Sequence, residues 1–129
     1  MDPVKVLQRA YPDELLGALR AEGAAQGVPY PHVRALLLEV ARRERAHAEA
    51  LAEALRRRGA PLPPTPKPEE GGWETLLRLL SEEGLDRAYY LESTFPDPEL
   101  EALFTRLGQE ERLNQEAVRK AVMLIGGGL

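Results

Sequence analysis

Hydrophobic residues recur at helical spacing between His32 and Gly59, and this stretch predicts the clearest helix of the chain. Because about 3.6 residues form each turn, positions three and four apart share one face. Glu44 lies near the middle of the apolar face, and His47 follows on the same side. Ionisable side chains on a buried face destabilise a protein unless they are paired or bind a metal ion, so these two are the first candidates for function. The apolar face comprises Val33, Leu36, Leu37, Val40, Ala41, Ala48, Leu51 and Leu55.

A shorter helix is predicted from Pro12 to about Gln26, because proline restarts the chain there after a short turn. Glu22 lies one turn beyond the last leucine of its apolar side, whereas Glu14 is predicted to point away. This helix is therefore expected to contribute Glu22 to the interior. The leucines that define its apolar side are Leu15, Leu16 and Leu19.

The second half of the chain predicts two more helices and no strand. Residues 60–72 are too rich in proline for a helix and predict a stiff, extended crossover. One helix is predicted over 73–95 and another over 98–125, with Asp97 as the N-terminal cap and Pro98 in the first turn. Short connectors within each half and one long crossover predict an all-α four-helix bundle of two helical hairpins, forming a single domain over residues 1–129.

The second half also repeats the first. Under a shift of 67 residues, Glu44 aligns with Glu111, and under the same shift His47 aligns with Asn114. A shift of 61 residues relates the first helix to the third. A glutamate together with Glu-x-x-His from each of two hairpins is an arrangement by which helical bundles hold two metal ions. Two equivalent hairpins that face each other would bring together Glu22, Glu44, Glu83 and Glu111.

The segment ARRERAHAEALAEAL resembles the Glu-x-x-His helix of rubrerythrins, which belong to the ferritin-like superfamily. The segments ALRAEGAAQG and LLSEEGLDRAYYLES resemble that family's helices with a bridging glutamate, so the resemblance covers most of the chain. It implies a ferritin-like bundle with a carboxylate-bridged di-metal site of iron or manganese. It also implies binding or oxidation of iron(II), or reduction of peroxide, with an external electron donor. The implied ligands are Glu22, Glu44, His47, Glu83 and Glu111, with Glu83 as the bridge.

The chain departs from the family at Asn114, which stands where a second histidine is expected. An amide oxygen can bind a hard ion, but it is a weaker ligand than imidazole for iron(II). In the expected arrangement Glu44 and His47 hold one ion with Glu22, and Glu111 holds the other with Asn114. If the second half-site has lost its ion, a single ion remains.

A metal-free interpretation of the same residues stays open. His47 could be a core histidine that bonds to Glu44 or to a backbone carbonyl, and Arg87 could neutralise Glu83. The chain would then be a structural or protein-interaction module, expected to form a homodimer through its helix faces.

The amino-acid composition argues against several classes of partner and cofactor. The 17 basic and 21 acidic residues give a net charge of −4, which argues against a nucleic-acid partner. The absence of cysteine excludes disulfides, zinc–thiolate sites and iron–sulfur clusters. With neither a signal-peptide pattern nor a membrane-spanning apolar run, a cytoplasmic protein is expected. The preference for arginine over lysine and the proline-rich loops suggest a thermophilic source.

Overall fold

The computed structural model describes residues 2–67 and 97–126, together with the single positions 78, 89, 90, 93 and 95. In this part of the chain the secondary structure consists of α-helices without strands, which confirms the all-α prediction at that level. Apart from those single positions, the helix predicted over 73–95 lies outside the described residues, and so do Glu83 and Arg87. The helices are α1 (Pro3–Gln26), α2 (Pro31–Arg57) and α3 (Pro98–Gly126).

Helix α1 continues through Pro12, so the prediction that the chain restarts there is wrong. Asp2 caps the helix, since its carboxylate accepts a hydrogen bond from the backbone N–H of Val4 at 3.0 Å. A proline inside a helix removes one backbone hydrogen bond. Leu7 and Ala10 are nevertheless buried in the turns before it, and their packing outweighs that loss.

The bounds of α2 and α3 agree with the predictions. A four-residue connector, 27–30, separates α1 from α2. Asp97 caps α3, and its carboxylate accepts a hydrogen bond from the backbone N–H of Glu99 at 2.9 Å. Residues 60–67 are neither helix nor strand, as expected for the start of the crossover. The side-chain amide of Gln8 donates to the carbonyl of Pro61 at 3.1 Å, which holds this segment beside α1.

Helix α2 packs against both α1 and α3, whereas the backbones of α1 and α3 do not approach each other closely. Leu7 in α1, Leu55 in α2 and Leu100 in α3 lie in the same apolar cluster. Because Leu7 and Leu100 are near the starts of their helices and Leu55 is near the end of its own, α1 and α3 run parallel to each other and antiparallel to α2.

The described core consists of two apolar clusters with a polar layer between them. In each of the three described helices the buried polar residues come between members of the two clusters, so they form one layer across the interior. The connector cluster comprises Ala21, Ala24, Ala25, Val28, Val33, Leu37, Val40, Ala41, Val118 and Ala121. The distal cluster comprises Leu7, Ala10, Leu51, Ala54, Leu55, Tyr90, Phe95, Leu100, Phe104 and Leu107. The polar layer comprises Glu14, Glu44, His47, Glu111 and Asn114.

None of the three described helices is both long enough and apolar enough to cross a membrane. Charged residues recur along their outer faces, as Arg42 and Arg45 do on α2.

Candidate metal centre

Three carboxylates and one imidazole converge in the polar layer. Each of the four residues offers one ligand atom, and these atoms all lie within 4.8 Å of one another. The carboxylates come from three different helices, and every one of the four side chains is buried. The four residues are Glu14, Glu44, His47 and Glu111.

Both ring nitrogens of His47 face carboxylates. Nδ1 lies 3.0 Å from Glu111 Oε1 and 3.5 Å from Glu14 Oε2. Nε2 lies 2.9 Å from an oxygen of Glu110, a partly exposed residue next to the layer. Burial lowers the pKa of this imidazole, but the hydrogen bonds to Glu111 and Glu14 outweigh burial and raise the pKa to about 10. Without a metal ion, His47 is therefore an imidazolium at neutral pH that donates from both nitrogens.

Glu14 lies at the junction of α1 with the second half of the chain. The hydroxyl of Tyr90 donates a hydrogen bond to Glu14 Oε1 at 2.6 Å. Burial and the charge of Glu111 raise the pKa of Glu14, against the opposing hydrogen bonds with Glu44 and His47. Burial is the larger cause of the raised pKa of Glu14. The smaller cause is the excess of negative charge where three carboxylates share a small volume with one imidazolium.

Asn114 links the layer to a cation at its edge. Its side-chain Nδ2 donates to Glu44 Oε1 at 2.9 Å. Its Oδ1 accepts a hydrogen bond from Arg43 at 3.2 Å. The amide oxygen, which is the only atom that Asn114 could offer to a metal ion, is thus engaged by the guanidinium.

Gly17 allows α1 to approach Glu44 closely. A Cβ atom at this position would lie 3.0 Å from Glu44 Oε2 and 3.3 Å from its carboxyl carbon. Those distances are too short for a buried carboxylate to tolerate without moving. The absence of a side chain at Gly17 therefore leaves the space that the Glu44 carboxylate occupies.

The structure corrects the predicted contribution of α1. Glu22 lies outside the layer: Arg45 Nε donates to its Oε1 at 2.9 Å, and the Glu22 side chain is 35% exposed. Glu14, predicted to point away, is fully buried instead. The cause is the buried face of α1, which is built mainly from small residues, while the leucines used for the prediction are only partly buried. The prediction of an interior Glu22 and an outward Glu14 is wrong.

The length of the hairpin is the signal that identifies Glu14. At 1.5 Å per residue, Glu44 lies about 20 Å beyond the start of α2, and Glu14 lies about 18 Å before the end of α1. Glu22 lies only about 6 Å before that end. A short connector places residues at equal distances from it on the two helices opposite each other. Glu14 is therefore expected to lie opposite Glu44, and Glu22 is not.

The structure describes four of the five other predicted ligands. Glu44, His47, Glu111 and Asn114 all lie in the polar layer, and Glu83 lies outside the described residues. Comparison of the chain with protein-family models, curated proteins and solved structures finds no match.

The donor set itself indicates the chemistry of the centre. Carboxylate oxygens suit hard divalent ions, and imidazole nitrogen suits borderline ions such as iron(II). A divalent ion would neutralise the excess negative charge and would displace the proton from Nδ1 of His47. Three oxygen atoms and one nitrogen atom at this spacing could hold one ion.

Proposed function

We propose that this chain is a ferritin-like four-helix bundle whose polar layer binds iron(II) or manganese(II). One observation carries the proposal: four buried ligand atoms lie within 4.8 Å of one another, in a set of three carboxylates and one imidazole. Such a set is costly to bury without a compensating cation. A bound divalent ion supplies that compensation.

In this proposal Glu14 takes the place that the sequence assigned to Glu22. Glu14, Glu44 and Glu111 would provide oxygen ligands, and His47 would provide Nδ1. Tyr90 would orient Glu14 through its hydroxyl hydrogen bond. Since the ion must displace a proton from His47, affinity is expected to rise with pH.

The direction of the helices supports a fourth helix. Helix α2 ends and α3 begins at the distal cluster. A helix over 73–95 that turns directly into α3 would therefore have to begin at the opposite end, near the connector cluster. Residues 60–72 could make that return, since about 13 extended, proline-rich residues span about 40 Å and a helix of about 23 residues is about 35 Å long.

We propose that the iron-loaded protein carries out redox chemistry. Iron alternates between two oxidation states, so bound iron(II) could be oxidised to iron(III) by dioxygen. Reduction of one peroxide to two waters needs two electrons and two protons; one iron(II) would supply one electron, and an external donor would supply the second electron and restore the iron(II). Buried carboxylates favour the higher charge of the oxidised ion. Iron(II) oxidation is measured by the absorbance of iron(III) after anaerobic loading and exposure to air.

Metal content of the folded protein tests the proposal. The protein is reconstituted anaerobically with iron(II), and separately with manganese(II), and bound metal is measured by mass spectrometry after desalting. Glu44→Gln is expected to lose the ion, because it removes a charged ligand at nearly constant shape. Glu49→Gln, on the exposed face of the same helix, is the matched control and should retain it. A folded wild type without metal, or a Glu44→Gln protein with undiminished metal, would contradict the proposal.

A metal-free structural module is the second candidate, because polar groups of the layer also form hydrogen bonds with one another. Both nitrogens of His47 have carboxylate partners, and Asn114 joins Glu44 to Arg43. Under this alternative the protein forms a homodimer through its helix faces. A folded wild type that binds no ion and sediments as a dimer would favour it.

A further inference from the structure

The hydrogen bonds of the polar layer follow the internal repeat. Residues of α2 and α3 that are 67 positions apart are equivalent. His47 Nδ1 lies 3.0 Å from Glu111 Oε1. Its equivalent, Asn114, donates to Glu44 Oε1 at 2.9 Å. Each helix therefore sends one polar side chain to the buried glutamate of the other, and the two bonds are reciprocal.

The residue that precedes each buried glutamate also bonds to the polar layer, but the two preceding residues have opposite charges. Glu110 lies 2.9 Å from His47 Nε2. Its equivalent on α2 is Arg43, which donates to Asn114 Oδ1 at 3.2 Å. The imidazole of His47 is thus hydrogen-bonded to an anion, whereas the amide of Asn114 is hydrogen-bonded to a cation.

The charges are also reversed between the two helices one turn earlier in each helix. On α2, Arg43 lies 3.7 Å from Glu39. On α3, the equivalent pair is Glu110 and Arg106, at 3.8 Å. Both positions of the pair have exchanged charge, so an ion pair remains at each end of the layer. Arg43 and Glu110 are therefore placed equivalently, and only the sign of the charge that they bring differs.

From this asymmetry we propose that the polar layer holds one divalent ion, on the His47 side, and that Arg43 is a built-in cation in place of a second ion. The inference rests on the proposed metal binding and fixes the number of ions. His47 can bind through Nδ1 while its Nε2–H donates to Glu110. A carboxylate behind the second nitrogen is the usual way in which a metal-bound histidine is oriented.

Asn114 cannot play the equivalent part. Its amide N–H group is directed at Glu44, so it offers hydrogen rather than a lone pair to the layer. Arg43 binds the amide oxygen and polarises the group, which strengthens the hydrogen bond to Glu44. The positive end of the amide dipole therefore faces Glu44, and Arg43 brings a fixed positive charge to this side of the layer.

The number of manganese(II) ions per chain tests the inference. Calorimetric titration and metal analysis of the wild type are expected to give one. The double variant Arg43→Glu/Asn114→His supplies the Asn114 side with the donors found on the His47 side, and it is expected to bind two. Arg42→Glu/Arg112→His introduces the same two residues, glutamate and histidine, at exposed neighbouring positions, so it should still bind one.

A second variant covers the case in which the double variant does not fold. Arg43→Gln removes the charge but keeps a hydrogen-bond donor. Because a nearby cation repels the ion, its loss is expected to tighten manganese(II) binding about tenfold, whereas Arg42→Gln should leave the affinity unchanged. An unchanged affinity in Arg43→Gln would overturn the role of Arg43.

The outcomes separate the inference from the proposed function. Two ions in the wild type would overturn the inference and keep the metal site. No ion in a folded wild type would overturn both. A folded double variant that still binds one ion would overturn the equivalence of the two sides.

Discussion

His47 makes the stability of the metal-free protein depend on pH. Its folded pKa of about 10 lies above the ordinary value of 6.5, so the native state binds a proton that the unfolded chain releases. The stabilisation is fully present below pH 6.5 and is lost as the pH rises towards 10. The raised pKa of Glu14 acts in the same direction from its ordinary value of 4.5 upwards.

We therefore expect the free energy of unfolding in EDTA to fall between pH 6.5 and pH 10, as measured by urea denaturation. His47→Asn should show a weaker dependence over this range. With saturating manganese(II), the unfolding free energy should instead rise with pH over the lower part of this pH range. The reason is that the ion replaces the proton on His47 and binds more tightly as the pH rises. Stability in EDTA that rises with pH would contradict the proton-rich layer.

Substitutions at Glu14 and Glu22 distinguish the ligand that the structure indicates on α1 from the ligand that the sequence predicted. Glu14→Gln should weaken manganese(II) binding at least about tenfold, since it removes a ligand charge. In EDTA its unfolding free energy should stay within about 1 kcal/mol of wild type, because the raised pKa favours an uncharged carboxyl that glutamine resembles. Calorimetric titration and urea denaturation measure the two effects.

The matched control is Glu22→Gln. Its carboxylate is part of a partly exposed ion pair with Arg45, so the cost should be below about 1 kcal/mol. Metal affinity should not change. If Glu22→Gln released the ion and Glu14→Gln retained it, the ligand on α1 would be the one first predicted from the sequence.

At the level of the helices, Gly17 is required by the approach of α1 to α2. In Gly17→Ala the new methyl group would lie 3.0 Å from a carboxylate oxygen of Glu44. Because Glu44 is fully buried, it can move only by disturbing the layer. We expect about a tenfold loss of manganese(II) affinity, by calorimetric titration, and none of the usual gain from replacing a helical glycine.

Gly23 provides the comparison within the same helix. A Cβ atom there would meet nothing within 4 Å, so Gly23→Ala should raise the unfolding free energy by about 0.5–1 kcal/mol. Metal affinity should remain that of the wild type. Equal effects at Gly17 and Gly23 would mean that the close approach to Glu44 does not matter.

The sequence predicted α2 and α3 well because their buried faces carry large apolar residues. The strong contrast between the two sides of α2 also placed Glu44 and His47 on the buried face. The repeat then identified Glu111 and Asn114. Asp97 and Pro98 marked the start of α3, since a cap and a first-turn proline are local signals.

Helix α1 was predicted poorly for a physical reason. Its buried face is made mainly of alanine and glycine, which pack by close approach rather than by apolar area, so the partly exposed leucines dominated the pattern. Pro12 added a false start. Arg43 and Glu110 were not predicted either. Each lies beside a proposed ligand in the sequence, and its contact with the other helix depends on how the helices pack.

For the molecule as far as the structure describes it, the polar layer interrupts the apolar core. Apolar clusters lie on either side of it, and its carboxylates come from all three described helices. Replacing a buried ionic network with apolar residues of similar size is often stabilising by about 1–4 kcal/mol. The layer therefore costs stability in the metal-free protein unless the network itself is needed to specify the fold.

A variant with an apolar layer tests this cost. Methionine adapts to irregular spaces and resembles glutamate in length, so it replaces the three glutamates, and leucine replaces the other two residues. We expect the unfolding free energy in EDTA to rise by about 1–4 kcal/mol, by urea denaturation, together with loss of manganese(II) binding. The substitutions are Glu14→Met, Glu44→Met, Glu111→Met, His47→Leu and Asn114→Leu.

The direction of that change separates the two candidate functions. A more stable variant that binds no metal would mean that the layer is kept at the expense of stability for the ion that it binds. A variant that loses stability or its near-ultraviolet circular dichroism would mean that the hydrogen bonds of the layer specify the packing, which favours the structural module. Manganese(II) should stabilise only the wild type, by about 2.7 kcal/mol at a free concentration of 100 times Kd, because only the wild type retains ligands from three helices that unfolding would separate.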